Sequence, residues 1–590
     1  MSLDPIPLTV LVQTQSRVAG PLEALLEALG IATAPPTAAT STTICVCDRG
    51  QPQAAGADAC VALTADEAAF ARARRTVGAR NPSPDREGEG LLPPSGHLAT
   101  VLAEVAASAA FLQALSVVAG QRPRAARVDA EHVALHIIMP LVSAASVGVT
   151  RASVPPTGSA SYPLGIVPCA DGDVGAYQAV PTEWPKFCAL IGRADLVDAY
   201  PSQGSRREAG AAVWSAAEPW FRAHSVDEVV RLAQEAGLPY APVLPLGDLP
   251  ASAYLRRRGA LVAGPDGGLR PGIPYRVERS AGPPTSPPPG RTALRSALRE
   301  ALPAPIPGPL SGLIVVEVTQ HWAGPLASRL LADYGAFVLK CEPEAGDFWR
   351  SSGRLRDDEA VSWMFEPLNL GKTSAAIDLR DAADRRLLGS LLGSADIVID
   401  NLSGDARRRG GLDFASVAAF SPEIIATSLP GYETAGPLAD LRGMGWSFEA
   451  ASGYASALGG ETAANSGYPY GDPIGALTAF LAISRELLGR RLGGGGGATL
   501  LDIGQVGALA YTLVESIRAG EAGPETTPLD DTLAQSRTDP SWALERLATV
   551  SGRSMDHPGP LIALADPTPR QRAPGLDEHG AAIRAAAGGA

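Results

Sequence analysis

Short apolar runs alternate with longer helical periods through the second half of the chain. Between residues 310 and 518, strands are predicted at 313–318, 336–340, 375–379, 396–400 and 424–429. Helices are predicted over 324–334 and 382–392, between successive strands. This alternation is typical of a parallel sheet covered by helices, because parallel neighbours need a long crossover connection. The hydrophobic pattern therefore predicts an α/β fold.

The chain also repeats itself weakly. A long apolar stretch at 96–115 resembles a second one at 471–488, and each leads across a Gly/Arg turn into a matching segment. Those segments are 127–133 and 500–506, and they align Asp129 with Asp502. Self-similarity of this kind indicates duplication. We therefore predict two copies of one unit, of unequal completeness.

Composition narrows the class of protein. The chain has 590 residues, 45% of them apolar and 19% charged, with a net charge of −13. A chain this long holds several domains, and its negative charge argues against a nucleic-acid partner. No segment offers some 20 apolar residues free of charge, and the N-terminus lacks a basic leader, so neither a membrane span nor a signal peptide is predicted.

Six cysteines are scattered along the chain without the C-x-x-C spacing of a metal site. We interpret them as reduced, mostly buried thiols of a cytoplasmic protein, and we predict no metal. Cys45 and Cys47 lie two apart in an apolar run, where a shared face of one strand and a place in the core are expected.

Two stretches are predicted to be linkers. Residues 280–309 are rich in proline, and residues 519–556 are largely polar with little apolar periodicity. Such composition is typical of connections rather than cores.

Many short motifs between residues 310 and 518 stand in the order found in a known family. They include Leu310-Ser-Gly-Leu313, Ala323-Gly-Pro325, Asn369-Leu-Gly-Lys372 and Ser452-Gly453, with Lys340, Asp347 and Arg350 between them. This block resembles the large domain of the family III CoA-transferases, the group of formyl-CoA transferase, the carnitine and bile-acid CoA-transferases and the related acyl-CoA racemases. The resemblance implies a Rossmann-like parallel-sheet large domain and a smaller α+β second domain.

The resemblance extends over most of the chain in an uneven way. Residues 1–150 resemble a reduced large domain, 160–270 a small domain, 310–518 a complete CoA-binding large domain, and 557–590 the segment that returns to the large domain. In this family two chains interlock, and each active site lies between the large domain of one and the small domain of the other. We therefore expect an internally duplicated pseudo-dimer with one site, between 310–518 and the small domain. Whether two such chains associate further into a homodimer is left open.

The resemblance also implies which residues contact coenzyme A, as substrate rather than cofactor. The family's contacts with CoA match a first loop, four later segments and one basic residue of this chain. The basic residue is an arginine, and a guanidinium group pairs well with phosphate. The expected contacts are His321, Trp322, Ala323, Pro343, Ile377, Arg380, Asn401, Ser403, Arg409, Pro430 and Gly431.

Catalysis in the family begins with an aspartate that attacks the thioester. We expect it after the Ser-Gly motif, where residues 452–465 contain no aspartate; Glu461 is the nearest carboxylate and is equally interpreted as a solvated loop residue. The racemases instead use an acid/base pair. One partner matches Asp472, which is also a candidate helix N-cap, and His97 is its counterpart in the first half.

Three functions follow from these observations. The first is transfer of CoA between carboxylic acids, with acyl-CoA and a free acid as small-molecule partners. The second is an acyl-CoA racemase, isomerase or lyase that works through Asp472 and His97 without a covalent intermediate. The third is an inactive acyl-CoA-binding pseudoenzyme, which the missing nucleophile and the unequal halves favour.

Overall fold

The structure is a computed structural model of the whole chain. It describes residues 3–589 apart from residues 4, 34–41, 50–56, 79–88, 124, 149–163, 179, 265–267, 281–287, 352–361, 460–462, 465, 467–468, 494–495, 520–525, 529–543, 550–553 and 565–569.

The chain begins with a reduced α/β unit. Apolar runs form its strands, and the repeated apolar stretch forms its longest helix. Its elements are β1 (Leu8–Gln13), α1 (Ala19–Ala28), β2 (Thr42–Asp48), β3 (Ala59–Thr64), α2 (Glu67–Gly78), β4 (Glu89–Leu91), α3 (Ser95–Val118), β5 (Ala126–Asp129), α4 (Ala130–Ile137) and α5 (Met139–Ser146).

A smaller domain follows, with a three-stranded antiparallel sheet in the order β6-β7-β8 and helices around an aromatic core. Its elements are β6 (Gly165–Pro168), β7 (Asp173–Ala176), α6 (Trp184–Leu190), α7 (Asp195–Ala199), α8 (Gln203–Glu208), α9 (Gly210–Ala223), α10 (Val226–Glu235), β8 (Ala241–Pro242), a 3-10 helix (Leu246–Ala251), α11 (Ala253–Arg258), β9 (Leu261–Ala263) and β10 (Leu269–Pro271). Strand β11 (Arg276–Arg279) and helix α12 (Arg291–Ala301) follow this domain.

The complete α/β unit comes next, and the five strands expected there are present. Its elements are β12 (Ile314–Val318), α13 (Ala323–Asp333), β13 (Phe337–Glu342), α14 (Phe348–Ser351), α15 (Phe365–Leu368), β14 (Thr373–Ala376), α16 (Ala382–Ser394), β15 (Ile397–Asp400), α17 (Gly404–Arg409), α18 (Phe414–Phe420), β16 (Ile425–Ser428), α19 (Trp446–Ser452), α20 (Tyr454–Gly459), α21 (Gly471–Arg491), β17 (Thr499–Asp502), α22 (Gln505–Tyr511) and α23 (Val514–Ala519).

The last part of the chain contributes β18 (Thr526–Pro528), β19 (Leu544–Ala548), β20 (Ser554–Pro558), β21 (Ala563–Leu564) and α24 (Gly580–Gly589). Strand β18 pairs with β4 of the first unit, and β19 pairs with β20. Helix α24 packs on α12 and α16. The end of the chain therefore contacts both the linker helix α12 and the complete unit.

The two sheets have similar strand orders, which fits a duplication. The complete unit has the strand order β11-β17-β16-β15-β12-β13-β14, and the reduced unit has β1-β2-β3-β5-β21. Strands β12, β15, β16 and β17 run parallel with an antiparallel strand at the edge, and β1, β2, β3 and β5 repeat this arrangement. Among the described residues, the first sheet has no strands in the places of β13 and β14.

Each antiparallel edge strand comes from the other half of the chain. Strand β11 follows the small domain of the first half and pairs with β17 of the second. Strand β21 follows the second unit and pairs with β5 of the first. The two halves are therefore interlocked by reciprocal exchange, because each covers an edge that would otherwise expose unpaired backbone groups.

The two long apolar helices α3 and α21 pack against each other between the sheets. Among the described residues, α3 alone is long and apolar enough to cross a membrane, and 89% of its most apolar window is buried inside the protein. At the contact, Thr478 donates a hydrogen bond of 2.9 Å to the carboxyl of Glu104. Burial raises the pKa of Glu104 to about 8, so its proton stays bound at neutral pH.

The proline-rich segment predicted as a linker contains a helix. In α12, Leu294 and Leu298 are buried in the core beside α16 and α24. Along the same face, Arg291 and Arg295 both bind the Asp396 carboxylate at 2.9 Å. Prolines surround this helix without interrupting it, so the segment adds to the core as well as connecting the halves.

The small domain is fastened to the complete unit by a buried ion pair. Arg258, at the end of α11, donates to the Asp502 carboxylate at 2.6 Å and to the Asp502 carbonyl at 2.7 Å. Their side chains are 3% and 8% exposed. Asp129, the counterpart of Asp502, instead caps α4 by accepting from backbone N–H groups. The matching aspartates therefore have different roles, an ion pair in the second half and a helix cap in the first.

We expect Arg258→Ala to lower the free energy of unfolding by about 3–5 kcal/mol, because it leaves the Asp502 carboxylate buried without its partner. Arg231→Ala is the matched control, since Arg231 pairs with Glu235 on an exposed helix face and such pairs contribute about 0.3–0.5 kcal/mol. Denaturant titration of both variants measures the difference. Equal effects would contradict the role given to Arg258.

Candidate functional site

The residues expected to contact coenzyme A all follow parallel strands. His321, Trp322 and Ala323 come after β12, and Pro343 comes directly after β13. The remaining residues follow the next three strands: Ile377 and Arg380 after β14, Asn401, Ser403 and Arg409 after β15, and Pro430 and Gly431 after β16. Since carboxyl ends of parallel strands share one edge, the structure gathers these residues along one side of the sheet.

The strand order reverses between the neighbouring strands β12 and β15, which makes this place a topological switch point. From β12 it adds β13 and β14 on one side, and then β15 and β16 on the other. Asn401 bridges this crevice, since its amide accepts from the Gln320 N–H at 3.0 Å and donates to the Gln320 carbonyl at 2.6 Å. Ligands of open α/β sheets bind outside such a switch point. The crevice is therefore the first candidate for a binding site.

A buried, balanced set of charges lies beneath the first loop. Lys340 contacts Glu317 at 2.9 Å and Asp347 at 3.1 Å, and Lys372 contacts Glu317 at 2.8 Å. The two lysines keep the pKa of Glu317 at about 2, against its burial, while burial lowers the pKa of Lys372 to about 7. Asp347 also accepts a hydrogen bond from the backbone N–H of His321. The charges thus hold the loop that leads into α13.

The first loop itself is tightly constrained. His321 has a positive φ of 65°, a conformation that costs energy for a residue with a side chain. Its ring lies 5.2 Å from that of Phe348, and burial lowers its pKa, which favours the neutral imidazole. Trp322 is 3% exposed and packs in the main core. Gly324 is required here, because a Cβ would lie 2.5 Å from the Thr319 Cβ.

The two predicted basic contacts reach solvent. The Arg380 side chain is 88% exposed beside Asp378, and that of Arg409 is 71% exposed beside Asp405. Exposed pairs of this kind are weak. Both guanidinium groups are therefore accessible to an anionic ligand at the outer rim of the carboxyl edge.

Asp472 begins α21 and faces the first loop. The backbone N–H of Ala323, the first residue of α13, favours the ionised form of this carboxyl and so lowers its pKa. Burial is the larger effect and raises the pKa of Asp472 to about 7. Since helix N-termini favour negative charge, α13 stabilises the ionised form. The N-cap interpretation does not describe this arrangement, because Tyr470 occupies the N-cap of α21.

Glu449 is a second carboxyl beside Asp472 that sequence analysis missed. It is fully buried, accepts a hydrogen bond from the Ser466 hydroxyl at 2.6 Å and one from the Tyr470 N–H at 2.8 Å. Burial, with a contribution from the Asp472 charge, raises the pKa of Glu449 to about 8. Both carboxyls therefore have pKa values raised toward neutral pH. Its position three residues before Ser452-Gly453 was the available signal.

Close packing around Phe448 brings these carboxyls together. A Cβ at Gly471 would lie 2.8 Å from the Phe448 Cβ, and a Cβ at Gly443 would lie 2.4 Å from the Phe448 ring. Gly431, one of the expected CoA contacts, also faces this ring. Because these positions lack side chains, α19 and the start of α21 approach closely enough to set Glu449 beside Asp472.

The small domain closes one side of this region. Helix α19 packs across β6, β7 and β8, and a Cβ at Gly175 would meet the Ala450 side chain at 2.6 Å. Tyr177 lies against Gly445 and against the Trp446 ring, at 6.0 Å between centroids. On the other flank, the Tyr254 hydroxyl donates to the Tyr432 carbonyl at 2.6 Å. The candidate site is therefore bordered by both domains.

Two further residues were predicted for the site, His97 and Glu461. His97 begins α3, where its Nδ1 lies 2.7 Å from the Thr512 hydroxyl and its ring 5.0 Å from that of Tyr454. Burial lowers its pKa to about 3, so it is neutral. Its contacts differ from those of Asp472, and the proposed pairing of the two stays a prediction. Glu461 lies outside the described residues.

The model of one protein family, described as CoA-transferase family III, matches residues 77–292 and 310–537. The chain belongs to CoA-transferase family III. The gap between the matched segments falls where α12 and the neighbouring prolines join the two halves, so the match follows the duplication seen in the sheets.

Relatives in this CoA-transferase family align with one part of the chain. A succinate–glutarate CoA-transferase of Agrobacterium fabrum is 32% identical over 217 residues, which cover 36% of this chain and 48% of the relative. An acetyl-CoA:oxalate CoA-transferase of Acetobacter aceti is 30% identical over 189 residues, covering 31% and 48%. The chain thus spans about half the length of these curated relatives. A solved CAIB/BAIF family protein from Brucella suis aligns at 22% identity and a TM-score of 0.41, over 48% of this chain and all of that one.

We expect Gly471→Ala to lower the free energy of unfolding by about 1–3 kcal/mol, because the new Cβ overlaps Phe448. Gly489→Ala is the matched control on the same helix, where the nearest atom lies at 3.4 Å, and it is expected to stabilise by about 0.5–1 kcal/mol. Thermal and denaturant unfolding of both variants provide the comparison. Stabilisation by both changes would contradict the close approach.

Proposed function

We propose that the chain transfers coenzyme A between carboxylic acids and that Asp472 is its nucleophile. The observation that carries this proposal is the Asp472 carboxyl, which meets the N-terminus of α13 beside the strand switch point. The site lies among the residues expected to contact CoA, and both domains border it. Family membership and the relatives' printed activities support the same reaction class.

The reaction proceeds through two kinds of acyl intermediate on one carboxylate. Ionised Asp472 attacks the carbonyl of the acyl-CoA, which forms a mixed anhydride and releases CoA thiolate. The thiolate attacks the Asp472 carbonyl, giving an aspartyl-CoA thioester and the free donor acid. An acceptor carboxylate then repeats the sequence in reverse, leaving the new acyl-CoA and Asp472. No electrons are transferred, and every bond broken is matched by one formed.

The chain's own groups fit the needs of these steps. The Ala323 N–H orients the Asp472 carboxyl and favours its ionised form. Glu449 keeps its proton at neutral pH, since its pKa is raised to about 8, and so adds little negative charge near an incoming carboxylate. The exposed Arg380 and Arg409 provide cations for the CoA phosphates.

We expect Asp472→Asn to abolish transfer, by at least about a thousandfold, because the amide is not a nucleophile. The assay offers succinyl-CoA or acetyl-CoA to glutarate or oxalate, and hydroxylamine or borohydride traps the enzyme-bound thioester. Glu461→Gln is the matched comparison, since Glu461 is the other candidate carboxylate. Loss of the trapped adduct in Glu461→Gln with its retention in Asp472→Asn would overturn the assignment.

We expect kcat/KM to rise with pH through a midpoint near 7, because attack requires ionised Asp472 and burial raises its pKa to about 7. Below this midpoint the protonated carboxyl cannot attack, so activity falls by about tenfold for each pH unit in the acid limb. Initial rates at subsaturating acyl-CoA across roughly pH 5–9 measure the profile. A rate that falls as pH rises through 7 would argue against a carboxylate nucleophile.

A second measurement tests the CoA pocket separately from catalysis. We expect Arg409→Ala to weaken binding of CoA and acetyl-CoA by about tenfold, because one charge-assisted contact to phosphate is lost. Isothermal titration on wild type, Arg409→Ala and the exposed control Arg231→Ala measures it. Equal affinity in all three would remove Arg409 from the pocket, and no binding by wild type would refute an acyl-CoA ligand.

One observation favours a second candidate, an acyl-CoA racemase or isomerase. Asp472 and Glu449 have raised pKa values of about 7 and about 8, so one accepts and the other donates a proton near neutral pH. Deuterium incorporation at the α-carbon of 2-methylacyl-CoA in heavy water tests this activity. Exchange without any trapped thioester would replace transfer by isomerisation, and neither signal, with CoA still bound, would identify a pseudoenzyme.

A further inference from the structure

Three thiols meet on one face of the first sheet. Cys45 and Cys47 are two apart on β2, so both point to the same side. Strand β3 pairs in parallel with β2, and its Cys60 lies opposite Cys45 in the register. All three sulfurs lie within 4.8 Å of one another, and those of Cys47 and Cys60 are 3.1 Å apart. The parallel register therefore assembles a cluster that spacing along the chain does not reveal.

The cluster lies on the side of the sheet that faces away from the main core. The neighbours Ile44 and Val46 point the other way, into that core beside α3. On β3, exposure alternates, with Cys60, Ala62 and Thr64 on the partly exposed side. In the complete unit, α17 and α18 lie between β15 and β16. Cys60 is itself partly exposed, whereas Cys45 and Cys47 are buried.

We propose that Cys45, Cys47 and Cys60 bind a soft monovalent metal ion, of which Cu(I) is the fitting example. Thiolates select soft ions, and metal–thiolate bonds are about 2.3 Å long. A trigonal plane of such bonds separates the sulfurs by about 4 Å, which the observed cluster reaches with small side-chain rotations. Structural Zn(II) sites have four ligands, whereas the described residues here offer three thiols.

Metal binding releases the thiol protons in exchange for the metal ion. Three S–H groups lose their protons to solvent as three metal–sulfur bonds form, and neither sulfur nor metal changes oxidation state. The Cys45 S–H donates to the Gln13 side-chain oxygen at 3.3 Å, and this weak bond breaks on binding. Burial raises the pKa values of Cys47 and Cys60, so both thiols are protonated and poorly reactive toward peroxide without a metal.

The test uses the full-length reduced protein and Cu(I) itself, under anaerobic conditions, in competition with bathocuproine disulfonate. We expect one tightly bound Cu(I) per chain, with sulfur alone in its first coordination sphere by X-ray absorption. Cys60→Ser is expected to weaken binding by at least about a hundredfold, since it removes one of three ligands. Because Cys60 is partly exposed, this variant leaves the core intact, and Cys47→Ala provides a second removal. Cys169→Ser, a buried thiol of the small domain, is the matched control.

The copper-binding results of the variants distinguish a supported site from a refuted one. Retention of copper by Cys169→Ser together with its loss from Cys60→Ser and Cys47→Ala supports the site. Equal competition by wild type and Cys60→Ser, equal loss in the control, or nitrogen and oxygen ligands in the absorption spectrum would overturn it. A Cys47–Cys60 disulfide that forms in place of copper binding would also overturn it, and mass spectrometry after alkylation detects that product.

Discussion

Each of the two sheets is completed by a strand from the opposite half, and the rest of the architecture depends on this exchange. Strand β11 covers the edge of the complete sheet, and β21 covers that of the reduced one. Because β11 directly follows the small domain, the exchange holds that domain near the carboxyl edge of the other unit. The buried Arg258–Asp502 pair then fixes its orientation. A single chain thereby forms an interface between domains of two different copies.

Within that interface, charge is arranged in two ways. Beneath the first loop, Glu317, Lys340 and Lys372 are buried as partners, so their ionised forms offset the cost of losing water. At the candidate site, Glu449 is buried and Asp472 is partly buried, the described residues place no cation in an ion pair with either, and the pKa values of both are raised. The first set of charges holds a loop in place, whereas the second leaves two carboxyls whose pKa values lie near neutral pH.

Local patterns predicted much of the fold, and long-range contacts limited the prediction of the site. The strands near β12, β15 and β16 were predicted within two residues, because apolar runs and turn residues mark them locally. The helix α12 was missed, since surrounding prolines outweighed the spacing of Leu294 and Leu298. Glu449 was missed because its role depends on the close approach at Gly471, which no local pattern encodes. The contact of Cys60 with Cys47 likewise depends on strand register.

The exchanged edge strands also determine when each sheet can be completed during synthesis of the chain. Strand β5 lies in the first quarter of the molecule, but its partner β21 lies near the carboxyl terminus. Domains of a nascent chain generally fold in the order of their synthesis, and contacts distant along the chain form slowly. The first sheet therefore leaves the ribosome with an exposed edge at β5. That edge is covered only after β21 has been synthesised, close to the end of this sequence.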